Sequence, residues 1–83
     1  MTDQKLIDEW GRLEVEWRMA FDHASEAQFA MDAKFTRHII HNLAGPTRAD
    51  QQELDDLWRI EAEKRSLADA FISHHSISSI RDA

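Results

Sequence analysis

Apolar residues recur at helical spacing along residues 3–43, where there is no Pro and only one Gly, Gly11. When Met31 is set at about 0° on a wheel of 100° per residue, ten positions fall within about −20° to 80°. They are Leu6, Trp10, Leu13, Trp17, Ala20, Phe21, Ala24, Phe35, His38 and Ile39. Because the stripe stays in phase over ten turns, the pattern predicts a single helix over about residues 3–43.

A second interpretation breaks this segment in the middle. Ser25-Glu26-Ala27-Gln28 has the spacing of a capping box, in which a Ser and a Gln three residues later satisfy free amides at a helix start. A break near Ser25 would give a monomeric three-helix bundle, with the Trp-rich segment folded back on its own chain.

The strongest signal for the end of a helix is Ala44-Gly45-Pro46-Thr47. Gly45 is suited to the left-handed conformation that ends helices, and Pro46 cannot continue the preceding helix. Thr47 is suited to cap the next helix, with Asp50 as its capping-box partner. A second amphipathic helix is predicted over residues 48–73, with Leu54, Leu57, Trp58, Ile60, Leu67, Ala68, Phe71 and Ile72 on one arc. The Ser-rich residues 74–83 are predicted to form a loosely ordered tail.

The fold class is therefore all-α, a single domain over residues 1–83 built as a long antiparallel helical hairpin. If the chain reverses at Gly45-Pro46, residues whose numbers sum to about 92 lie side by side, and the second helix stops near Ala20. The second helix then leaves four large N-terminal side chains uncovered, namely Leu6, Trp10, Leu13 and Trp17. In addition, Phe29, Ala33 and Ile40 lie on the opposite side of the first helix. We expect two hairpins to pair into a four-helix bundle. The expected dimer or partner interface is Leu6, Trp10, Leu13, Trp17, Phe21, Phe29 and Ile40.

Polar residues interrupt the arc of the second helix at Glu61, Lys64 and Arg65, and Gln28 lies across the hairpin. They could form a buried polar layer that fixes the register of the helices. Equally, their long stems could lie along apolar surface while the charged ends stay in water. The sequence leaves both interpretations open.

A weaker alternative is a metal site. His38 and His41 are three residues apart on one helix face, and antiparallel pairing would bring Asp50 and Glu53 near them. The spacing matches neither the paired Glu-x-x-His of helical di-iron proteins nor His-Glu-x-x-His. No nucleophile or phosphate-loop motif is present either, so we expect no enzymatic activity and no cofactor.

Composition narrows the class of partner. The chain has 10 Lys and Arg against 16 Asp and Glu, a net charge of −6, and no Cys. We expect no direct binding to nucleic acid or membrane, because both require clustered cations. The sequence favours a small cytoplasmic interaction or regulatory protein that binds itself and another protein. Alternatively, the acids Asp8, Glu9, Glu14, Glu16, Asp55, Asp56 and Glu63 could mimic nucleic acid in a basic groove.

Overall fold

Two long helices form an antiparallel hairpin. The computed structural model describes residues 2–82, with side chains described for residues 4–75. Helix α1 is Thr2–His41 and helix α2 is Arg48–Asp82, and there is no strand within residues 2–82. The predicted all-α hairpin is confirmed. The predicted break near Ser25 is wrong, because α1 runs without interruption through this position, with Ala24 fully buried.

The connection of residues 42–47 ends α1 differently from the prediction. Asn42 has the left-handed conformation, with φ of 54°, whereas Gly45 does not have a positive φ. Asn tolerates this conformation better than most residues, so α1 already ends at His41. Gly45 is needed for space instead, because a Cβ there would lie 3.0 Å from Cγ of His38. His38 Nδ1 in turn lies 2.6 Å from the carbonyl oxygen of Leu43.

The predicted capping box at the start of α2 is confirmed. Thr47 Oγ1 accepts a hydrogen bond from the Asp50 amide at 3.1 Å, and Asp50 Oδ2 accepts one from the Thr47 amide at 2.9 Å. Lys34 Nζ also donates to Asp50 Oδ2, at 2.8 Å. The bond from Lys34, followed by the Thr47 amide, lowers the pKa of Asp50 from 3.8 to about 2. The same carboxylate therefore caps α2 and ties it to α1.

Helix α2 extends nine residues beyond the predicted end at residue 73. The segment contains no Gly or Pro after residue 46, and Ser in a helix costs only a few tenths of a kcal/mol relative to Ala. A Ser-rich composition is thus too weak a signal to end a helix. The side chains of residues 76–83 lie outside the described residues, so the predicted loose ordering of the tail over 74–83 stays a prediction.

The helices pack with a seven-residue repeat. Among the residues of α2 up to 75, those that are buried, Leu54, Glu61 and Ala68, are seven residues apart. The inward positions of α1 alternate by four and three residues, as in a coiled coil. They are Leu6, Trp10, Leu13, Trp17, Ala20, Ala24, Ala27, Met31, Lys34 and His38, and all except His38 are buried or half-buried. The matching positions of α2 are Leu54, Leu57, Glu61, Lys64, Ala68, Phe71 and His75.

The predicted register is wrong. Trp17 lies beside Glu61, and Trp10 stacks on Phe71 with ring centroids 5.9 Å apart. With Lys34 paired to Asp50, the residue numbers of these neighbours sum to 78–84 rather than 92. Because α2 is longer than predicted and lies nearer the N-terminus of α1, it covers the segment that was expected to be bare.

Candidate protein-interaction surface

One side of the hairpin carries a line of exposed and half-buried apolar side chains, here called the aromatic face. It consists of Ile7, Phe21 and Phe35 on α1 and Trp58 and Ile72 on α2. Successive members on each helix are fourteen residues apart, which is two heptads, so they share one side of the coiled coil. Phe21 and Trp58 join the two helices across this face, with ring centroids 6.1 Å apart in an edge-on arrangement.

The aromatic face is incompletely covered by its own chain. Ile7 is 61% exposed, Phe35 53%, Phe21 44% and Ile72 43%. Shallow grooves flank the central pair of rings, one lined by Trp10, Trp17 and Ile72 and the other by Met31, Phe35 and Trp58, among others. Several large apolar side chains exposed on one side of a protein are typical of a surface that binds another protein.

Behind the aromatic face lies a buried carboxylate. Glu61 is 4% exposed, and its Oε2 accepts a hydrogen bond of 2.8 Å from Trp17 Nε1. Its second oxygen, Oε1, lies 3.9 Å from Nη1 of Arg65, whose side chain is 56% exposed. Because a buried charge is costly unless it is paired and hydrogen-bonded, these two partners make the position tolerable. The Trp17–Glu61 bond also joins α1 to α2 at one specific register.

The other residues of the predicted polar layer, Gln28, Lys64 and Arg65, do not all lie beside Glu61. Gln28 Oε1 accepts a hydrogen bond of 3.1 Å from Trp58 Nε1, at a level nearer the connection. Lys64 Nζ lies 4.0 Å from Glu16 Oε2, and both side chains are about a third exposed. The structure thus buries Glu61, whereas Lys64 and Arg65 keep their charged ends in or near water.

The residues expected at a dimer or partner interface fall into two groups. Leu13 is buried within the hairpin, and Leu6, Trp10 and Trp17 are half-buried. The expectation that α2 leaves these four side chains uncovered is wrong, because α2 is longer than predicted and lies nearer the N-terminus of α1. Phe21, Phe29 and Ile40 are exposed, and Phe29 at 77% is the most exposed of the large apolar side chains described. Phe29 and Ile40 lie on the back of α1, away from the aromatic face.

Two of the four metal-site candidates make other contacts. His38 is hydrogen-bonded to the connection and Asp50 to Lys34 and Thr47, while His41 and Glu53 are exposed. Within the part of the chain whose side chains are described, no three His, Asp or Glu residues are close enough to hold a metal ion together. The adjacent His74 and His75 rings contact each other edge-on at 4.7 Å.

The acidic side chains considered for nucleic-acid mimicry are partly neutralised. Glu14 pairs with Arg18 at 2.9 Å, Glu16 with Arg12 at 3.3 Å, and Asp56 with Arg59 at 3.0 Å, each within one helix. Asp8, Glu9, Asp55 and Glu63 are exposed. The acids therefore lie on both helices and alternate with cations on them.

Sequence reasoning missed most of the aromatic face. The helical wheel assigns Phe35, Trp58 and Ile72 to core-facing arcs and makes no assignment for Ile7. The signal that distinguishes them is the fourteen-residue spacing of residues 7, 21 and 35 and of residues 58 and 72.

Comparison with known proteins found no matching family model, no matching curated protein and no matching solved structure. In the described residues, neither helix contains a stretch apolar enough, over sufficient length, to cross a membrane.

Proposed function

We propose that the protein is a non-enzymatic interaction or regulatory module whose working unit is a homodimer, formed when two hairpins pack into a four-helix bundle. The observation that carries this proposal is the imbalance between covered and uncovered apolar side chains. Within the described residues, four hydrophobic residues are buried, whereas twelve large ones are 42–77% exposed. Two helices alone cannot cover both sides of their shared core, and a second pair of helices can.

The surface area supports the same proposal. The chain exposes 6671 Å², whereas a compact monomer of its mass exposes about 5,100 Å² by the usual scaling with mass, an excess of about 1,500 Å². Two copies that each buried this excess would form an interface of about 3,000 Å², which is within the range of obligate homodimers. The shape agrees, since the hairpin is a rod of 60 × 22 × 17 Å with a radius of gyration of 18.6 Å.

The aromatic face is the surface that best fits the second copy. It runs along both helices, so a partner seated there contacts α1 and α2 together and completes a bundle. Its central rings, Phe21 and Trp58, are large and have few rotatable bonds, a combination that is common at the energetic centres of interfaces. The exposed Phe29 and Ile40 on the back of α1 remain outside this contact and are available to a different protein.

The test compares two substitutions that place the same charge on opposite sides of α1. Phe21→Asp lies on the aromatic face, whereas Val15→Asp, at a position of similar exposure (55% against 44%), lies on the back. In sedimentation velocity at matched concentrations, Phe21→Asp should sediment as a monomer while Val15→Asp remains dimeric.

Because Phe21 also contacts Trp17 and Trp58, the same measurement is made on Ile7→Asp, with helix content checked by circular dichroism. Ile7→Asp should also weaken the dimer while keeping the helices. Equal dissociation of the variants on both sides would contradict the proposal, as would a monomeric unmodified chain.

A further inference from the structure

We infer that the two hairpins of the proposed homodimer lie side by side in parallel, with both 42–47 connections at the same end, and that Glu14 of each copy pairs with Arg65 of the other. This inference rests on the proposed function and adds the orientation of the copies and a pair of specificity-determining residues. Its basis is the order of side chains along the aromatic face.

The contact between Phe21 and Trp58 defines which residues of α1 and α2 lie at the same level. Moving one heptad toward the N-terminus of α1 leads to Glu14, and one heptad toward the C-terminus of α2 leads to Arg65. Because the helices are antiparallel, these two residues share a level about 10 Å from the aromatic pair. A second heptad leads to Ile7 and Ile72, which share the next level.

From the N-terminus of α1, this side of the hairpin therefore has three levels. The first is aliphatic (Ile7 and Ile72), the second is charged (Glu14 and Arg65), and the third is aromatic (Phe21 and Trp58). A twofold axis parallel to the helices places α1 of one copy against α2 of the other, with each level opposite itself. The charged level then becomes a ring of four side chains with alternating sign, two Glu14 and two Arg65. The aromatic level becomes a ring of two Phe21 and two Trp58.

The opposite orientation, with the connections at opposite ends, gives a poorer match for the charges. With the aromatic levels again opposite each other, it places the level of Glu14 and Arg65 against the level of Gln28, so both charged groups lose water and gain no opposite charge from the other copy. Partly buried charges are stabilised chiefly by opposite charges in the same place. Within one copy, Glu14 already pairs with the exposed Arg18 at 2.9 Å, whereas Arg65 lies 3.9 Å from Glu61. The interface therefore gives Arg65 a closer carboxylate and gives Glu14 a second cation.

The test uses two charge reversals in separate chains. Glu14→Arg gives four cations at the charged level of its own homodimer, and Arg65→Glu gives four anions. Each variant alone should dimerise more weakly than the unmodified chain, by roughly tenfold or more in Kd. When the two variants are mixed, each contact between position 14 of one chain and position 65 of the other again joins opposite charges. A one-to-one mixed dimer should therefore form with Kd near the original value.

A pairing within one chain cannot produce rescue between two different chains, so the mixing step separates an interface role from a structural one. The matched control is Glu63→Arg mixed with Arg59→Glu, which makes the same changes in net charge at exposed positions outside the aromatic face. The control mixture should show no preference for mixed dimers. Sedimentation equilibrium with one chain fluorescently labelled measures both mixtures.

A second measurement reads the orientation directly. The chain has no Cys, so Leu43→Cys introduces a single spin-label site in the connection. Electron–electron distance measurement should give a label separation of roughly 20–30 Å for adjacent helices of one bundle. Connections at opposite ends would give about 60 Å. A dimer with the long distance, or with no preferential mixing, would overturn this inference and leave the proposed function intact, whereas a monomeric unmodified chain would remove both.

Discussion

The buried Glu61 carboxylate makes the stability of the hairpin unusually sensitive to Trp17. Replacement of Trp17 by Phe keeps an aromatic ring but removes the indole N–H that donates to Glu61 Oε2 at 2.8 Å. Loss of a hydrogen bond to a charged group costs about 1.5–3 kcal/mol of unfolding free energy. Arg65 cannot replace the donor without moving, because it lies 3.9 Å away on the other oxygen. At fixed protein concentration, Tm should therefore fall by roughly 6–24 °C for a domain of this size.

A double-mutant cycle shows whether that loss belongs to the buried pair. Glu61→Leu alone leaves the Trp17 N–H without its acceptor, whereas Trp17→Phe with Glu61→Leu replaces both partners by apolar groups. Removing both partners is often close to neutral, so the double variant should be at least about 1 kcal/mol more stable than Trp17→Phe alone. Urea unfolding followed by circular dichroism gives the four free energies.

Trp58→Phe is the matched control, because Trp58 donates to the neutral amide oxygen of Gln28 at 3.1 Å. Its expected cost is about 0.5–1.5 kcal/mol from the hydrogen bond. Additive effects of Trp17→Phe and Glu61→Leu, or an equal cost for the two Trp substitutions, would show that the Trp17–Glu61 hydrogen bond does not cause the loss of stability.

Substitutions of Gly11, Gly45 and the capping residue Asp50 test other parts of the fold. Gly11→Ala should stabilise α1 by about 0.5–1 kcal/mol, since apart from its chain neighbours and its own helix backbone the added Cβ has no atom within 4 Å; a lower Tm would contradict this. Gly45→Ala should destabilise by about 1 kcal/mol through the clash with His38, and the loss should disappear in a His38→Ala background. Because the pKa of Asp50 is lowered to about 2 by Lys34 and then Thr47, its contribution is complete above about pH 4 and is lost as pH falls toward 2. Asp50→Asn should therefore destabilise the protein near neutral pH, and the difference in Tm should vanish by about pH 2; a constant difference would contradict the assignment.

The elements of the fold were predictable from the sequence because their signals are local. A continuous apolar stripe, a Gly-Pro connection and the Thr47–Asp50 capping box together predict two helices and their order. The exact ends were harder, since they depend on small energies. Asn42 ends α1 before Gly45 is reached, and α2 continues through Ser residues whose helix propensity is only slightly unfavourable.

The register and the candidate surface depend on a finer feature of the pattern. A helical wheel of 100° per residue does not separate the inward positions from the positions that flank them, so it assigns Phe35 and Ile72 to the core. The seven-residue repeat separates them, because it keeps Leu54, Glu61 and Ala68 inward and turns Ile72 outward. The expected interface includes the exposed Phe21, which the predicted end of α2 near Ala20 does not account for. The buried Glu61 was recognisable from its place within an apolar arc, but its donor, Trp17, became identifiable only with the correct register.

The mass of the particle in solution shows whether the hairpin completes its core with a second copy of itself. The chain has a mass of 9.7 kDa. Multi-angle light scattering over a hundredfold range of concentration should give twice that mass over the upper part of the range. A mass of 9.7 kDa at every concentration, from a chain that keeps its helix content, would exclude the homodimer.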